Sequence, residues 1–316
     1  MAKNRIFNLS SLSRGEIMTV VVTTALFLVF QSTVVGLLPA HLVMVGLFLV
    51  LFFAHPVTRQ LAVAMIPFIL FEISYDWMRL YPNYKVNPID IEGIYNAEKD
   101  LFGITEGGRV MIPGEYFTLH NNSVADFMAG IFYLCWVPMP IAIGLLLFFK
   151  GERRYYLRFA LAFLFVNLLG FAGYYIHPAA PPWYALNYGF TPDFSTPGNV
   201  AGLIRFDEMI DMPIFQGIYV NNSNIFAAVP SLHSAYMLIA TIYVILSKRS
   251  WSLITVSAIV TVGIWGTAVY TCHHYIIDVL LGIMTAFIGI AIFEKLLMHW
   301  KPFLRFFNSY HHYISK

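Results

Sequence analysis

The chain has 316 residues, 59% apolar, 17% aromatic and only 11% charged, with a net charge of +2 and a mean hydropathy of +0.68. Soluble domains carry about a quarter charged residues, so these figures exclude a soluble globular enzyme and a disordered chain. A nucleic-acid module is excluded too, because there is no basic arm or stripe. What remains is an all-α, multi-span membrane protein.

A crossing helix needs about 20 mostly apolar residues, and eight segments approach that length. Residues 1–16 are a basic tail with Lys3, Arg5 and Arg14. Two extra N-terminal membrane helices follow within 17–58, predicted at 17–38 and 40–54. No small-residue cleavage pattern follows the first, so it reads as an uncleaved span rather than a signal peptide. The second is short and is bracketed by Pro39 and Pro56. Six further spans, at 59–78, 126–149, 157–177, 230–247, 251–271 and 274–297, make a six-helix core within 59–298. Residues 299–316 form a second tail. The loops 79–125 and 178–229 are long enough to be functional. Their Pro, Gly and aromatic content suggests packed caps, and 91–102 reads as an amphipathic surface helix. The two cysteines, Cys135 and Cys272, are too few for a disulfide framework.

Charge sets the orientation. With the N-terminus cytoplasmic, only Arg79, Lys85, Lys99, Arg109 and Arg205 fall on the outer side, leaving 14 of the 19 basic residues inside. The positive-inside rule therefore expects both termini in the cytoplasm and both long loops outside. Short tails and tight inner loops favour a bacterial cytoplasmic membrane, with a Golgi membrane as the eukaryotic equivalent.

Ionisable residues inside spans are costly and usually functional. In the third span Glu72 and Asp76 are four apart and Arg79 follows one turn later. An Asp76–Arg79 ion pair that locks the bundle and hydrogen bonding to a polyol headgroup both fit this spacing. At the mouth of the sixth span stands Pro230-Ser231-Leu232-His233-Ser234, with Pro230 at a first helical position. Free N–H groups at such a start attract phosphate. Ser231 and Ser234 can donate to that phosphate or cap the helix. The turn between the last two spans reads Tyr270-Thr271-Cys272-His273-His274-Tyr275, with Asp278 one helical turn beyond His274. A carboxylate at that spacing can fix the imidazole tautomer and leave the other nitrogen free to attack. Two histidines beside an anion site point to phosphoryl transfer. His273 and His274 lack a further ligand at firm metal-site spacing, so no metal is expected.

Pro230-Ser231-x-His233 followed by His274-x-x-x-Asp278 resembles the second and third motifs of the type-2 phosphatidic acid phosphatase superfamily. Within it, His177-Pro178-Ala179-Ala180-Pro181-Pro182-Trp183-Tyr184, the run from Phe226 to Ser234, and His273-His274-Tyr275 are similar to inositol phosphorylceramide synthases. The likeness covers about residues 70–290. It implies His274 as nucleophile, His233 as acid and then base, Asp278 as the group orienting His274, and no cofactor. It also implies that His177, Trp183 and Tyr184 line the site. The superfamily's fuller pattern has Lys-x6-Arg-Pro, Pro-Ser-Gly-His and Ser-Arg-x5-His-x3-Asp. Here Gly170 stands at the Lys position, His177 at the Arg, Leu232 at the Gly, and Thr267-Ala268 at the Ser-Arg. Lost cations suit a diester donor better than a dianionic monoester, and Tyr270 and Arg205 are candidates to replace them. The implied reaction moves phosphoinositol from phosphatidylinositol to ceramide in the bilayer and releases diacylglycerol. A lipid phosphatase with water as acceptor is the first alternative. A transporter is the second, but its polar groups would gather at the midplane between repeats. Oligomeric state is not legible.

Overall fold

The computed structural model describes residues 12–219 and 224–316, so Lys3 and Arg5 lie outside the described residues. The N-terminal pair is α1 (Arg14–Phe30), which continues as a π-helical turn to Val35, and α2 (Pro39–Ala54). A capping box starts α1: Glu16 N–H donates to Ser13 Oγ, and Ser13 N–H to Glu16 Oε2. Next come α3 (Pro56–Ala64) and α4 (Ile66–Trp77). The first long loop carries α5 (Glu92–Phe102), a hairpin of β1 (Ile104–Glu106) and β2 (Arg109–Met111), and α6 (Pro113–Leu119). The core helices α7 (Ser123–Leu134), α8 (Pro138–Phe149) and α9 (Arg153–Ile176) follow. The second long loop holds α10 (Pro182–Tyr188), α11 (Ile204–Ile210) and α12 (Ile214–Tyr219). Then come α13 (Leu232–Leu246), α14 (Trp251–Tyr270), α15 (Ile276–Lys295) and α16 (Lys301–Ser315).

Each of the eight predicted segments contains apolar helix, but the segments are not equivalent. Arg14–Val35, α9, α14 and Ile276–His299 are long and apolar enough to cross a bilayer alone. The pairs α3/α4 and α7/α8 are bent by 41° and 44°, and each makes one crossing only if taken together. Pro67 and Pro138 stand at these breaks, where a missing N–H and the ring interrupt the helical ladder. The helices α2 and α13 are shorter than a full span.

At the centre stands α13, packed against α8, α9, α14 and α15. It is buried along nearly its whole length, from Leu232 to Val244. A helix that is apolar all round belongs in such a place. Close helix approach in lipid relies on small residues, and Gly282 of α15 is the sharpest case. A Cβ there would lie 2.0 Å from the Ser231 carbonyl oxygen. Gly170 of α9 is similar, because its Cβ would meet Leu232 Cδ2 at 2.4 Å. The Leu232 side chain thus fills the notch above Gly170, where the superfamily pattern has a lysine.

The pair α1/α2 is tied to the core through Asp76. Its carboxylate accepts from Gln31 Nε2 at 3.1 Å, lies 3.3 Å from His41 Nε2 and pairs with Arg79 at 2.5 Å. Trp77 Nε1 donates to Gln31 Oε1. The 299–316 segment was read only as a tail, with no element assigned to it. It folds instead as α16, with Phe307 and Ile314 buried, Tyr310 donating to the Val63 carbonyl and Arg153 bonding the Ile314 carbonyl.

Candidate active site

The turn 271–275 lies outside both flanking helices and is wound tightly. Cys272 takes φ +62°, and the N–H groups of His273 and His274 both reach the Ala268 carbonyl, at 3.0 and 2.9 Å. This swings the His274 ring over the start of α15. There Asp278, fully buried, accepts from Tyr275 N–H at 2.9 Å and faces His274 Nδ1 at 3.3 Å. Across from it, α13 begins at Leu232. Pro230 therefore precedes the helix rather than opening it, and Ser231 holds the cap position without a side-chain cap bond. Ser231 N–H donates to the Asp278 carbonyl at 2.9 Å, which is the contact Gly282 makes room for. His233, in the first turn, points Nδ1 at His274 Nε2 from 3.0 Å.

The chain of partners assigns the protons. With Asp278 accepting from Nδ1–H, His274 keeps a lone pair on Nε2, and that lone pair accepts Nδ1–H of His233. Burial pushes the His274 pKa down to about 4, while the Ala228 carbonyl acts in the opposite direction. The ring is therefore neutral near pH 7, with a lone pair that can act as base or nucleophile. The Cys272 thiol in the same turn is pushed up to about 12 by burial, which removes it as a competing nucleophile. Aromatic rings wall the pair: Trp136 meets His233 edge-on at 4.6 Å and Tyr133 lies 5.4 Å from it. His233 is only partly buried while His274 is buried, so the pair is more open on the His233 side.

Several buried polar atoms here have no protein partner among the described residues: Ser231 Oγ, Ser234 Oγ, Asp278 Oδ1, His273 Nε2 and Arg205 Nη2. Orphans of this kind are rare in a closed interior and fit a site that receives a polar group. Arg205 and Tyr270 are brought together through Asp126, whose Oδ1 accepts from Arg205 Nε at 2.6 Å and from Tyr270 Oη at 2.9 Å. Arg205's charge is thus partly balanced.

His177 caps the end of α9 and pairs through Nε2 with Asp90 at 3.2 Å. Backbone bonds run from Asp90 to Pro178 and Ala180, and from Ala179 to Phe226 and Ala228, lacing both long loops together beside the turn. Trp183 N–H donates to the Cys272 carbonyl, placing α10 against the catalytic turn. Tyr184 is buried in one cluster with Trp183 and Cys272, with its hydroxyl spent on Thr191 and Asp193 within the loop. Asp76 and Arg79 form the ion pair, and Glu72 sits in an apolar cleft with Met44, Phe68 and Val137. Among the described residues no group of three or more His, Cys, Asp or Glu is placed to hold a metal.

Sequence reasoning missed Asp90, Asp126 and Glu98. For Glu98 a signal exists: it continues the stripe Ile91, Ile94, Tyr95, so it lies on the apolar face of α5. A carboxylate on that face has a buried partner.

The sequence profile of the PAP2 superfamily matches residues 109–292. The chain is 60% identical, over 96% of its length and 99% of the relative's, to a phosphoinositol dihydroceramide synthase of Bacteroides thetaiotaomicron. An inositol phosphorylceramide synthase of Candida albicans is 28% identical over 55% of this chain and 38% of its own. The catalytic subunit of inositol phosphorylceramide synthase of Saccharomyces cerevisiae is 25% identical over 76% and 58%. No solved structure matches. Matched by the profile over more than half its length, and by the bacterial relative over nearly all of it, the chain belongs to the PAP2 superfamily.

Proposed function

We propose that this integral membrane protein is an inositol phosphorylceramide synthase. It transfers phosphoinositol from phosphatidylinositol to a ceramide-type acceptor and releases diacylglycerol. The observation that carries the reading is the line from Asp278 Oδ2 through His274 to His233 Nδ1, in a chain so close to a synthase.

His274 Nε2 attacks phosphorus, the bond to the diacylglycerol oxygen breaks, and that oxygen takes a proton from His233. Asp278 stabilises the charge that then develops on the His274 ring. The acceptor hydroxyl next gives its proton to His233 while its oxygen attacks phosphorus. The phosphorus–nitrogen bond breaks and His274 is restored. In the resting geometry the His233 N–H is turned toward His274. The phosphoryl group must therefore enter between the rings, and His233 must turn its proton to the leaving oxygen. Positioned acid–base help of this kind is worth about a hundred- to ten-thousandfold. Ser231, Ser234 and Arg205, with unpartnered atoms at the site, are the phosphate donors in this scheme.

The same reading includes eight crossings, a six-helix core within 59–298, both termini cytoplasmic and the site at the outer face of a bacterial cytoplasmic membrane. The bend pairs and the basic inner segments support it.

The test uses purified protein in vesicles with labelled phosphatidylinositol and ceramide, and a His274→Ala control. Inositol phosphorylceramide with matching diacylglycerol, absent in the control, is expected. Phosphate released from a monoester lipid, with no headgroup on ceramide, overturns the reading in favour of a phosphatase.

A further inference from the structure

We infer that Glu98, on the outer helix α5, is a positioning residue that fixes the His274–Asp278 pair. It does so by occupying the start of α15 from outside the membrane bundle.

The first N–H groups of a helix have no acceptor within it. In α15 the first two of these belong to Ile276 and Ile277, and both are claimed by one side chain: Glu98 Oε1 accepts from Ile276 at 2.8 Å and Oε2 from Ile277 at 3.1 Å. Glu98 is 1% exposed, so water does not share the task. Its two bonds fall on the residues between the two catalytic groups of the turn. His274 precedes them and Asp278 follows at once.

The consequence concerns which way Asp278 turns. An aspartate in the first turn of a helix is drawn to that turn's own free N–H groups. Here the Ile276 and Ile277 N–H groups are already taken, and Asp278, at the third helical position, closes a capping-box bond to Tyr275 N–H through Oδ2, which also faces His274 Nδ1. With Glu98 absent, Ile276 and Ile277 present two buried donors to the nearest free acceptor, and Asp278 Oδ1 has no protein partner to hold it. The carboxylate then rotates toward them, and His274 loses the group that sets its tautomer. Burial and the neighbouring charge of Asp278 both raise the pKa of Glu98, and the two N–H bonds oppose that rise.

The arrangement also spans the fold. Asp90, just before α5, pairs with His177 and accepts the Ile94 N–H that opens the helix. Tyr95 bonds Glu115, which pairs with Arg109 of the hairpin. The outer helix is thus anchored on three sides, and Glu98 is the point at which it touches the machinery.

This inference rests on His274 being the nucleophile, so the experiment measures Glu98→Ala, Glu98→Gln and His274→Ala side by side in vesicles. Initial rates against donor and acceptor are normalised to folded protein, and melting temperatures are recorded. Misplacing a reacting group by about 1 Å can cost about a hundredfold in rate. Glu98→Ala is expected to lose that much in kcat with KM changed less than about twofold. Glu98→Gln keeps one acceptor oxygen and is expected to recover part of the loss. If Glu98→Ala does not fold, the kcat of Glu98→Gln decides alone, a reduced value supporting the inference. Wild-type kcat per folded molecule in either variant overturns it, even where the melting temperature falls, because Glu98 is then only a cap. Activity retained by His274→Ala overturns the nucleophile assignment instead, whatever Glu98 does.

Discussion

Replacing Gly282 by alanine isolates the contact between the two elements that carry the histidines. The added Cβ would stand 2.0 Å from the Ser231 carbonyl oxygen and 2.9 Å from its carbon, whereas real Cβ contacts stay beyond 3.0 Å. The first turn of α13 must therefore move about 1 Å from α15, since a backbone carbonyl inside a buried turn cannot swing aside. That displacement stretches the Ser231 N–H bond to the Asp278 carbonyl from 2.9 Å to about 4 Å, beyond hydrogen-bonding distance. It also opens the 3.0 Å gap between His233 and His274. Overpacking costs about 1–3 kcal/mol in stability, and a 1 Å misplacement of reacting groups can cost about a hundredfold in rate. The assay compares Gly282→Ala with Gly266→Ala, a helical glycine of α14 whose Cβ would meet nothing within 4 Å. The control is expected to be neutral or stabilised by about 0.5–1 kcal/mol from helix propensity alone. Gly282→Ala is expected to lower both melting temperature and kcat. Wild-type turnover in Gly282→Ala would refute the claim that this backbone contact sets the histidine spacing.

Asp278→Asn is expected to fold while losing about a hundred- to ten-thousandfold in kcat, because an amide no longer holds the tautomer or balances the charge on His274; undiminished single-turnover rates would count against that role. The His274 pKa falls from 6.5 unfolded to about 4 folded. The unfolded chain therefore takes up a proton that the folded chain refuses, so this contribution to stability is full above pH 6.5 and is lost as pH falls toward 4. The loss reaches up to about 3 kcal/mol. Thermal unfolding at pH 7 and pH 5 should show a smaller drop for His274→Gln than for the wild type, and an equal drop in both contradicts the assignment. Asp76→Ala strips Arg79, His41 and Gln31 of their shared partner and is expected to cost about 3–5 kcal/mol with little change in kcat. A stable variant with a raised KM for the inositol lipid would place Asp76 at the headgroup instead.

The candidate site was partly legible because some of its chemistry is local. His274 and Asp278 lie one helical turn apart, so spacing implied their meeting, and His233 joined them through its place at the mouth of a span on the same face and the motif resemblance. The amphipathic stripe of α5 was equally plain. What was not legible depends on residues far apart in the chain. Asp126 gathers Arg205 and Tyr270 from other elements, and Asp90 reaches across to His177; no periodicity links such positions. Tyr184 shows a related limit: its ring packs beside Trp183 and Cys272, but no spacing showed that its hydroxyl bonds inside its own loop. The tail helix α16 went unread, although Phe307, Tyr310 and Ile314 recur at helical spacing.

The interlock between Gly170 and Leu232 constrains how this lineage can change. A lysine cannot enter position 170 while the isobutyl group of Leu232 fills the notch, since even a methyl group there would collide with it. Leu232 must shrink first, and that step alone leaves a void in the core, costing about 2–5 kcal/mol before any benefit appears. The two positions are thus historically coupled. Any route to the lysine of the superfamily pattern passes through a less stable intermediate, so the two positions can change only together or at a cost in stability.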